Sequence, residues 1–402
     1  MGNGATEETQ QTEGSVIICG AGIAGLTLAW WMDRIGWDVL VLEIASGLRD
    51  EGYMIDFLSS GYDVAERMDL IHRLEEVQQP VSEVVNVNEN GERVSEMDYE
   101  LFRQLQNGRL LALMRGDLER ELHAALSDDV EIRYGLTVDE VQQDEQAVDV
   151  TLSDGTRESV ELLVGADGIH SRVRELVFGD ESQYLRYLKY HTGAFIFEDE
   201  SIRRKLDGQF QNLTVPNRTI GCYPLQDGTL ATFFVHRTPN AERPPSPYET
   251  LKQRYGDLDW IVPELLEHCT DVDSIYYDQV AQIELPRWSK GRVTLVGDAC
   301  QAVSLLAGQG ASLAMGGAYV LAQKLRDDGP IEERLNRYES HMKPEIQEKQ
   351  AAGRRAAKWL FPPSQWHITV RDTALKVARY PGGSHLLKPV LKMGTESVVN
   401  GI

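Results

Sequence analysis

Gly14-Ser-Val-Ile-Ile-Cys-Gly-Ala-Gly-Ile-Ala-Gly25, continued without a charge to Met32 and followed by Asp38-Val-Leu-Val-Leu-Glu43, decides the fold. Val16 to Cys19 reads as a buried parallel strand, and Leu26 to Ile35 as a helix. Between them Gly20, Gly22 and Gly25 give the G-x-G-x-x-G spacing. Gly20 allows the tight turn, Gly22 lets a pyrophosphate approach the backbone, and Gly25 lets helix and strand pack closely. The loop, Ala24 included, then presents amides and the positive end of a helix dipole to phosphate. Asp38 to Leu42 reads as the next strand, and Glu43 at its end is placed to accept from ribose hydroxyls. An acid there favours an unphosphorylated ribose, so FAD or NAD over NADP.

The uncharged run Val16–Met32 holds three glycines and is barely long enough to span a bilayer, and the acidic, polar residues before it lack the basic segment of a signal peptide. A nucleotide site is the better reading. With 402 residues, 42% of them hydrophobic and 26% charged, two domains sharing a large core are expected. The formal charge of −23 argues against nucleic acid and anionic membranes as partners. Cys19, Cys222, Cys269 and Cys300 form no C-x-x-C pair, which fits a reduced cytoplasmic setting and neither a disulfide framework nor a metal site.

Along the chain, residues 1–13 read as a disordered N-terminus. Arg49 and Asp56 are the polar residues of the following loop and strand that would face a cofactor or pocket. Residues 60–78 have helical spacing, with Val64, Met68, Ile71 and Leu74 on one side. Asn90-Gly91 between Val84–Val87 and Arg93–Met97 signals a hairpin. Leu110–Met114 reads as a strand leading into an amphipathic helix from Arg115 to Leu126. Segments 130–134, 137–142 and 148–152 read as an antiparallel meander. Glu161 to Arg174 contains a buried strand that ends before Asp167-Gly168, where the acid can accept hydrogen bonds as the chain turns. Residues 181–284 are mainly β segments, with helical pieces at 248–256 and 263–268. In the third informative stretch, Gly291 to Cys300, a buried strand delivers Asp298 to a loop, and Gly308-Gln309-Gly310 opens a helix from Ala311 to Leu325 whose first amides would face an anion or a polarised carbonyl. A charged amphipathic helix follows over 331–358.

These three stretches, in this order, resemble the group A FAD-dependent monooxygenases, the single-component aromatic hydroxylases; the resemblance covers most of residues 15–345. It implies an α/β, Rossmann-type FAD-binding domain over 14–180 and 285–345, with the hairpin near 84–97 on the substrate side. It further implies an inserted, mainly β-sheet substrate domain over 181–284 and a C-terminal helical cap over 346–402. In that frame Glu43 binds the adenosine ribose, and Arg115 lies along the phosphates and ribityl chain. Asp167 serves both FAD and a visiting nicotinamide donor, and Asp298 holds the ribityl hydroxyls. The amides from Gly310 through Ala311 to Ser312, beside Gly308, face the pyrimidine edge of the flavin. Two positions depart from the family pattern. Cys300-Gln301 stands where Ala-His is common, and Ser304-Leu305-Leu306 lacks a proline, so the shape beside the reactive flavin carbon differs.

The implied activity is hydroxylation or epoxidation of a small apolar aromatic or polyketide-like substrate through a flavin hydroperoxide, with NADPH or NADH as transient reductant and dioxygen as co-substrate. Asp56, Tyr223 and His236 are the expected pocket residues and candidates for an activating base. A flavin dehydrogenase or oxidase, and a redox-neutral reaction such as cyclisation on an FAD scaffold, are the alternatives on the same fold.

Overall fold

Gly14–Cys19 is a strand at the centre of a six-stranded sheet. Trp37–Glu43 and Leu162–Gly165 flank it in parallel, with Ile17 opposite both Leu40 and Leu163. Both faces are covered, so Val16 to Cys19 are all buried and the run is continuously apolar. Val293–Leu295 and Glu131–Tyr134 extend the sheet in parallel, and Ser289–Lys290 closes one edge antiparallel. The computed structural model describes residues 13–48, 53–269, 275–304, 308–378, 397–400 and 402. The expected disorder at 1–12, the cofactor role of Arg49 and the missing proline at Leu305 lie outside the described residues.

Two helices rich in small residues, Ile23–Arg34 and Gly310–Leu325, pack against each other beside the sheet, with Trp31 and Tyr319 in edge contact at 4.8 Å. The helix Ile331–Leu360 closes over them and buries Leu335, Tyr338, Met342 and Ile346. The parallel sheet and these helices form one core with the antiparallel strands Val138–Gln143, Val148–Leu152 and Arg157–Val160.

The second domain is a sheet whose strands run in the order 276–283, 185–194, 230–237, 218–224, 210–215, 83–87 and 93–98, with Ile196–Phe197 beside 230–237. The helices Glu200–Leu206, Pro247–Tyr255 and Val262–His268 cover one face. The other face looks toward the first domain, and near its end Tyr190, Val235 and Val280 are capped by Ala357 and Phe361. A ribbon of Met54–Leu58 paired with Leu110–Met114 stands between the domains.

Several local expectations are refined by long-range pairing. The helical stretch at 60–78 is two helices, Ser60–Arg67 and Ile71–Glu76, because Asp69 turns with φ 58°. Glu131–Tyr134 belongs to the parallel sheet, and the meander begins one strand later. Phe210–Val215, Leu185–Ala194 and Glu200–Leu206 are ordered elements that sequence patterning passed over. After the long helix, Gln365–Ala378 is helical and packs on the sheet through Arg371, whose guanidinium donates to Thr214 Oγ1 at 3.3 Å. All four cysteines are buried and unpaired.

Candidate active site

The three glycines of the first loop are held for different reasons. Gly20 turns with φ 106°, a conformation that costs glycine little, and a Cβ there would lie 2.5 Å from the Ala166 carbonyl oxygen. At Gly25 a Cβ would lie 1.8 Å from the Gly20 carbonyl oxygen. At Gly22 its nearest neighbours would be Glu119 Oε1 at 3.5 Å and Arg115 Nη2 at 3.7 Å, an ordinary contact. The protein's own packing therefore does not demand glycine at 22; the cleft in front of it does.

That cleft is two joined cavities. One, about 190 Å³, is lined by Gly20, Glu43, Leu136, Thr137 and Asp167; the other, about 290 Å³, reaches Asp298, Gly308, Gly310 and Ala311. Both are bordered by Gly22, Arg115, Ala166 and Gly168, so they meet at the loop. Glu43 is half-buried, its Oε2 accepting from the Ala21 amide and its Oε1 from the Ala45 amide, each at 2.9 Å. Those bonds fix its carboxylate at the cavity mouth. The residues present fit FAD. An acid stands at the ribose end, a glycine leaves room at the pyrophosphate position, and a 16-residue helix begins at Gly310 where a flavin would end.

Asp167 does structural work. Its Oδ1 accepts from Ser171 Oγ at 2.5 Å and its Oδ2 from the Val173 amide at 3.0 Å, so it caps the turn into the helix Arg172–Phe178. Burial raises its pKa, and these two bonds oppose the rise. Asp298 opens directly to the cleft; desolvation raises its carboxyl pKa, with Arg115 pulling the other way. Arg115 itself pairs with Glu119 at 2.7 Å. Ser312 is turned away from the cavity, its Oγ accepting from the Leu58 amide at 3.3 Å, while Ala311 and Ala314 line it. Cys300 and Gln301 are likewise buried behind the site. Gln301 Nε2 donates to Tyr338 Oη at 2.6 Å, and Gly317 makes room for the Gln301 side chain, which a Cβ there would approach to 2.5 Å. The departure from Ala-His is thus absorbed by the long helix.

The larger cavity continues into an aromatic wall of Tyr53, Phe210, Tyr223, Phe233 and Tyr276. Tyr53 stands 6.2 Å from Phe233 and 5.6 Å from Tyr276, ring to ring. Tyr223 Oη accepts from the Met54 amide at 2.9 Å, tying the sheet to the ribbon. Asp56 also lines the cavity, its Oδ1 accepting from Tyr99 Oη at 2.7 Å; burial raises its pKa and the tyrosine bond lowers it. His236 is not brought to this cavity. It sits on the opposite sheet face, 3.2 Å from Tyr277 Oη, beside a separate cleft bordered by Lys189, Arg218, Arg237 and Arg254. Burial, then Arg254, His191 and Arg218, lower its pKa to about 3, so it stays neutral.

Sequence reasoning missed Thr192, Tyr276 and Asp278, which face the cavity from neighbouring strands. An acid inside Tyr276-Tyr-Asp-Gln-Val280, an otherwise strand-like run, was the available signal. It missed His170 as well. His170 Nδ1 lies 3.0 Å from Glu181 Oε1 and Nε2 3.7 Å from Asp278 Oδ1, clasping one domain to the other. Asp278 first, and Glu181 with it, raise the His170 pKa to about 9 against the effect of burial. A raised folded-state pKa makes the clasp fully stabilising below the unfolded value near 6.5 and lost as pH rises through about 9. The ring is half-exposed, so screening limits the effect to about 1 kcal/mol. Urea midpoints should fall between pH 7 and pH 10, and less steeply in His170→Gln; equal slopes would assign the loss to another group.

Residues 13–349 match a family model described as FAD binding domain. An uncharacterised protein of Mycobacterium tuberculosis (strain ATCC 25618 / H37Rv) is 32% identical over 329 residues, which cover 78% of this chain and 86% of that protein. A flavin-dependent monooxygenase from an unknown prokaryotic organism is 29% identical over 345 residues, 84% of this chain and 88% of its own. Among solved structures, tetracycline destructase Tet(51) superposes with a TM-score of 0.77 at 25% identity, over 92% of this chain and 97% of that one.

Proposed function

This chain belongs to the FAD binding domain family, and from that premise we propose that it is an FAD-dependent monooxygenase which, driven by NADPH or NADH, places one oxygen atom of dioxygen on a small apolar aromatic or polyketide-like molecule. The observation that carries this reading is the continuity of the cleft. It runs from Glu43 past Gly22 to Asp298 and the Gly310 helix, then directly into an aromatic cavity. A flavin-dependent monooxygenase among the relatives supports the same reaction class.

FAD supplies the electron transfer and the activation of dioxygen. The residues of the chain bind and orient. Glu43 accepts from the adenosine ribose, the amides after Gly20 face the pyrophosphate, and Asp298 accepts from the ribityl hydroxyls. The first amides of the Gly310–Leu325 helix offset negative charge at the pyrimidine edge. The aromatic wall excludes water from the reacting centre. Asp56 accepts the proton of a phenolic substrate, and Tyr99 keeps that carboxyl ionised at lower pH than burial alone would allow.

Asp56→Asn should lower kcat on a phenol about 100-fold or more with little change in substrate affinity. Tyr99→Phe should move the acidic limb of the pH–rate profile upward, because the bond it removes lowers the Asp56 pKa. An unmoved limb would remove Asp56 from the proton path. The reaction itself is tested by reducing the holoprotein anaerobically with NADPH or NADH, then admitting ¹⁸O₂ with phenolic and polyketide-like compounds. One labelled atom in the product is expected. A product formed without label and without donor consumption would select redox-neutral chemistry such as cyclisation, and substrate oxidised without label would select a dehydrogenase or oxidase.

A further inference from the structure

The wall of the larger cavity carries a polar pair that the reading above does not use. Thr192 and Asp278 are direct cross-strand partners in the pairing of Leu185–Ala194 with Tyr276–Ile283. Their side chains leave the same sheet face, roughly 5 Å apart at Cβ, and both line the cavity. Thr192 is only 2% exposed, and its Oγ1 has no hydrogen-bond partner. A buried hydroxyl without a partner is costly, and a ligand group arriving at this face would relieve that cost. Asp278 uses Oδ1 to accept from the Gln279 amide at 2.7 Å and faces His170 through the same atom. Its Oδ2 has no hydrogen bond among the described residues, and the side chain is 30% exposed, into the cavity mouth.

The charges of the cavity point the same way. Asp56, Asp278 and Asp298 line it, against a single cation among the described lining residues, Arg115. Arg115 is paired with Glu119 and borders the cofactor cavity as well, so it stands at the flavin end. Tyr53, Phe233 and Tyr276 also line the cavity, and their ring faces attract cations.

We propose that the substrate docks on this wall through a hydrogen-bond donor, an ammonium or hydroxyl group held by Asp278 Oδ2 and Thr192 Oγ1, and that ring compounds carrying a carboxylate in its place are rejected. The proposal rests on reading the larger cavity as the substrate site. Thr192 Oγ1 offers a lone pair to the incoming donor and so gains the partner it otherwise lacks. A substrate carboxylate would confront Asp278 at Oδ2, while the cation beside Asp278, His170, faces Oδ1 at 3.7 Å and is shared with Glu181.

Three compounds of one skeleton test this: 4-hydroxyphenethylamine, 2-(4-hydroxyphenyl)ethanol and 4-hydroxyphenylacetate. Each is titrated calorimetrically into FAD-loaded protein at pH 7 without reductant. The amine and the alcohol are expected to bind at least tenfold more tightly than the carboxylate. Asp278→Asn should shrink the amine-to-carboxylate ratio at least fivefold. Thr192→Val keeps the branched shape away from the ion-paired clasp, and should weaken the alcohol at least threefold with little effect on the carboxylate. Equal or tighter binding of the carboxylate, no binding of any of the three, or ratios unchanged in both variants would overturn the proposal. The flavin content, read separately by absorbance, and ¹⁸O incorporation report on the monooxygenase reading, so its failure is told apart from failure of the donor wall.

Discussion

Gly22→Ala is expected to fold as well as the native chain and yet lose FAD, whereas Gly25→Ala loses the fold of the loop itself. The difference follows from what each new methyl group would meet. At position 25 it would sit 1.8 Å from the Gly20 carbonyl oxygen, a main-chain atom fixed by a strand and a turn. Neither side can move without opening the pairing of Gly14–Cys19 with its neighbours. Overpacking of a rigid site costs about 1–3 kcal/mol or more, and a contact this short against backbone belongs at or above the top of that range. At position 22 the methyl would meet protein atoms at 3.5 Å and beyond, so the apo-protein should change by less than about 0.5 kcal/mol. What it fills is the approach to the loop amides. There a pyrophosphate oxygen would be displaced from hydrogen-bond distance, and FAD affinity should fall by roughly 100-fold or more, about 2.7 kcal/mol. Urea denaturation of the apo-proteins and flavin titration of each variant separate the two effects. If Gly22→Ala took up FAD like the native protein, the cleft before Gly22 would not be the pyrophosphate site.

This contrast also marks what a sequence can disclose. Gly20, Gly22, Gly25 and Glu43 were legible because the strand, turn, helix and next strand that place them are contiguous in the chain. The same holds for Asp298 and Gly310, where one short strand and one helix start do the positioning. The pocket is different, because its residues converge through pairings far apart in sequence. His236 and Phe233 share the strand Leu230–Arg237, three positions apart, and so leave opposite faces of the sheet. Alternation shows that they differ but not which of them meets the flavin side, and that depends on where the helices of the second domain lie. Asp56 was a fair candidate from its loop, but its partner Tyr99 comes from the far side of a hairpin 43 residues away. Thr192 and Asp278 are neighbours solely through the register of two strands more than 80 residues apart. Glu131–Tyr134 looked antiparallel because its alternation matched the strands after it, while its parallel pairing with Trp37–Glu43 left no local signature.

Arg174→Met should remove about 3 kcal/mol of stability and weaken FAD, although the residue does not itself line the cleft. Arg174 is fully buried. Its Nη1 donates to the Ala299 carbonyl at 3.0 Å, and its Nη2 donates to the Ile169 carbonyl at 2.7 Å and to Glu181 Oε2 at 2.6 Å. One guanidinium thus ties the segment after Asp167-Gly168 to the residue next to Asp298, joining two of the three cofactor stretches. Burial lowers its pKa, opposed chiefly by Glu181, and an arginine still far above neutral remains charged. Methionine fills much of the volume but leaves two carbonyls and a carboxylate without their donor. Breaking a buried pair costs about 3–5 kcal/mol. Since Glu181 is 34% exposed and can be rehydrated, the lower end of that range applies. Arg172 is the internal control. It lies on the same helix, two residues earlier, and pairs with Glu175 at 2.8 Å, a shorter distance than the bond from Arg174 to Ala299. Both partners of that pair are largely in solvent, so Arg172→Met should cost no more than about 0.5 kcal/mol. Urea midpoints measure the first effect, and flavin titration the second, which follows because Ala299, the carbonyl that Arg174 holds, is the next residue to Asp298 in the short helix Asp298–Gln301. Equal losses in the two variants would mean that the buried guanidinium adds nothing beyond helix surface charge. A destabilised Arg174→Met that bound FAD as tightly as the native protein would show that the Asp298 loop holds its shape without it.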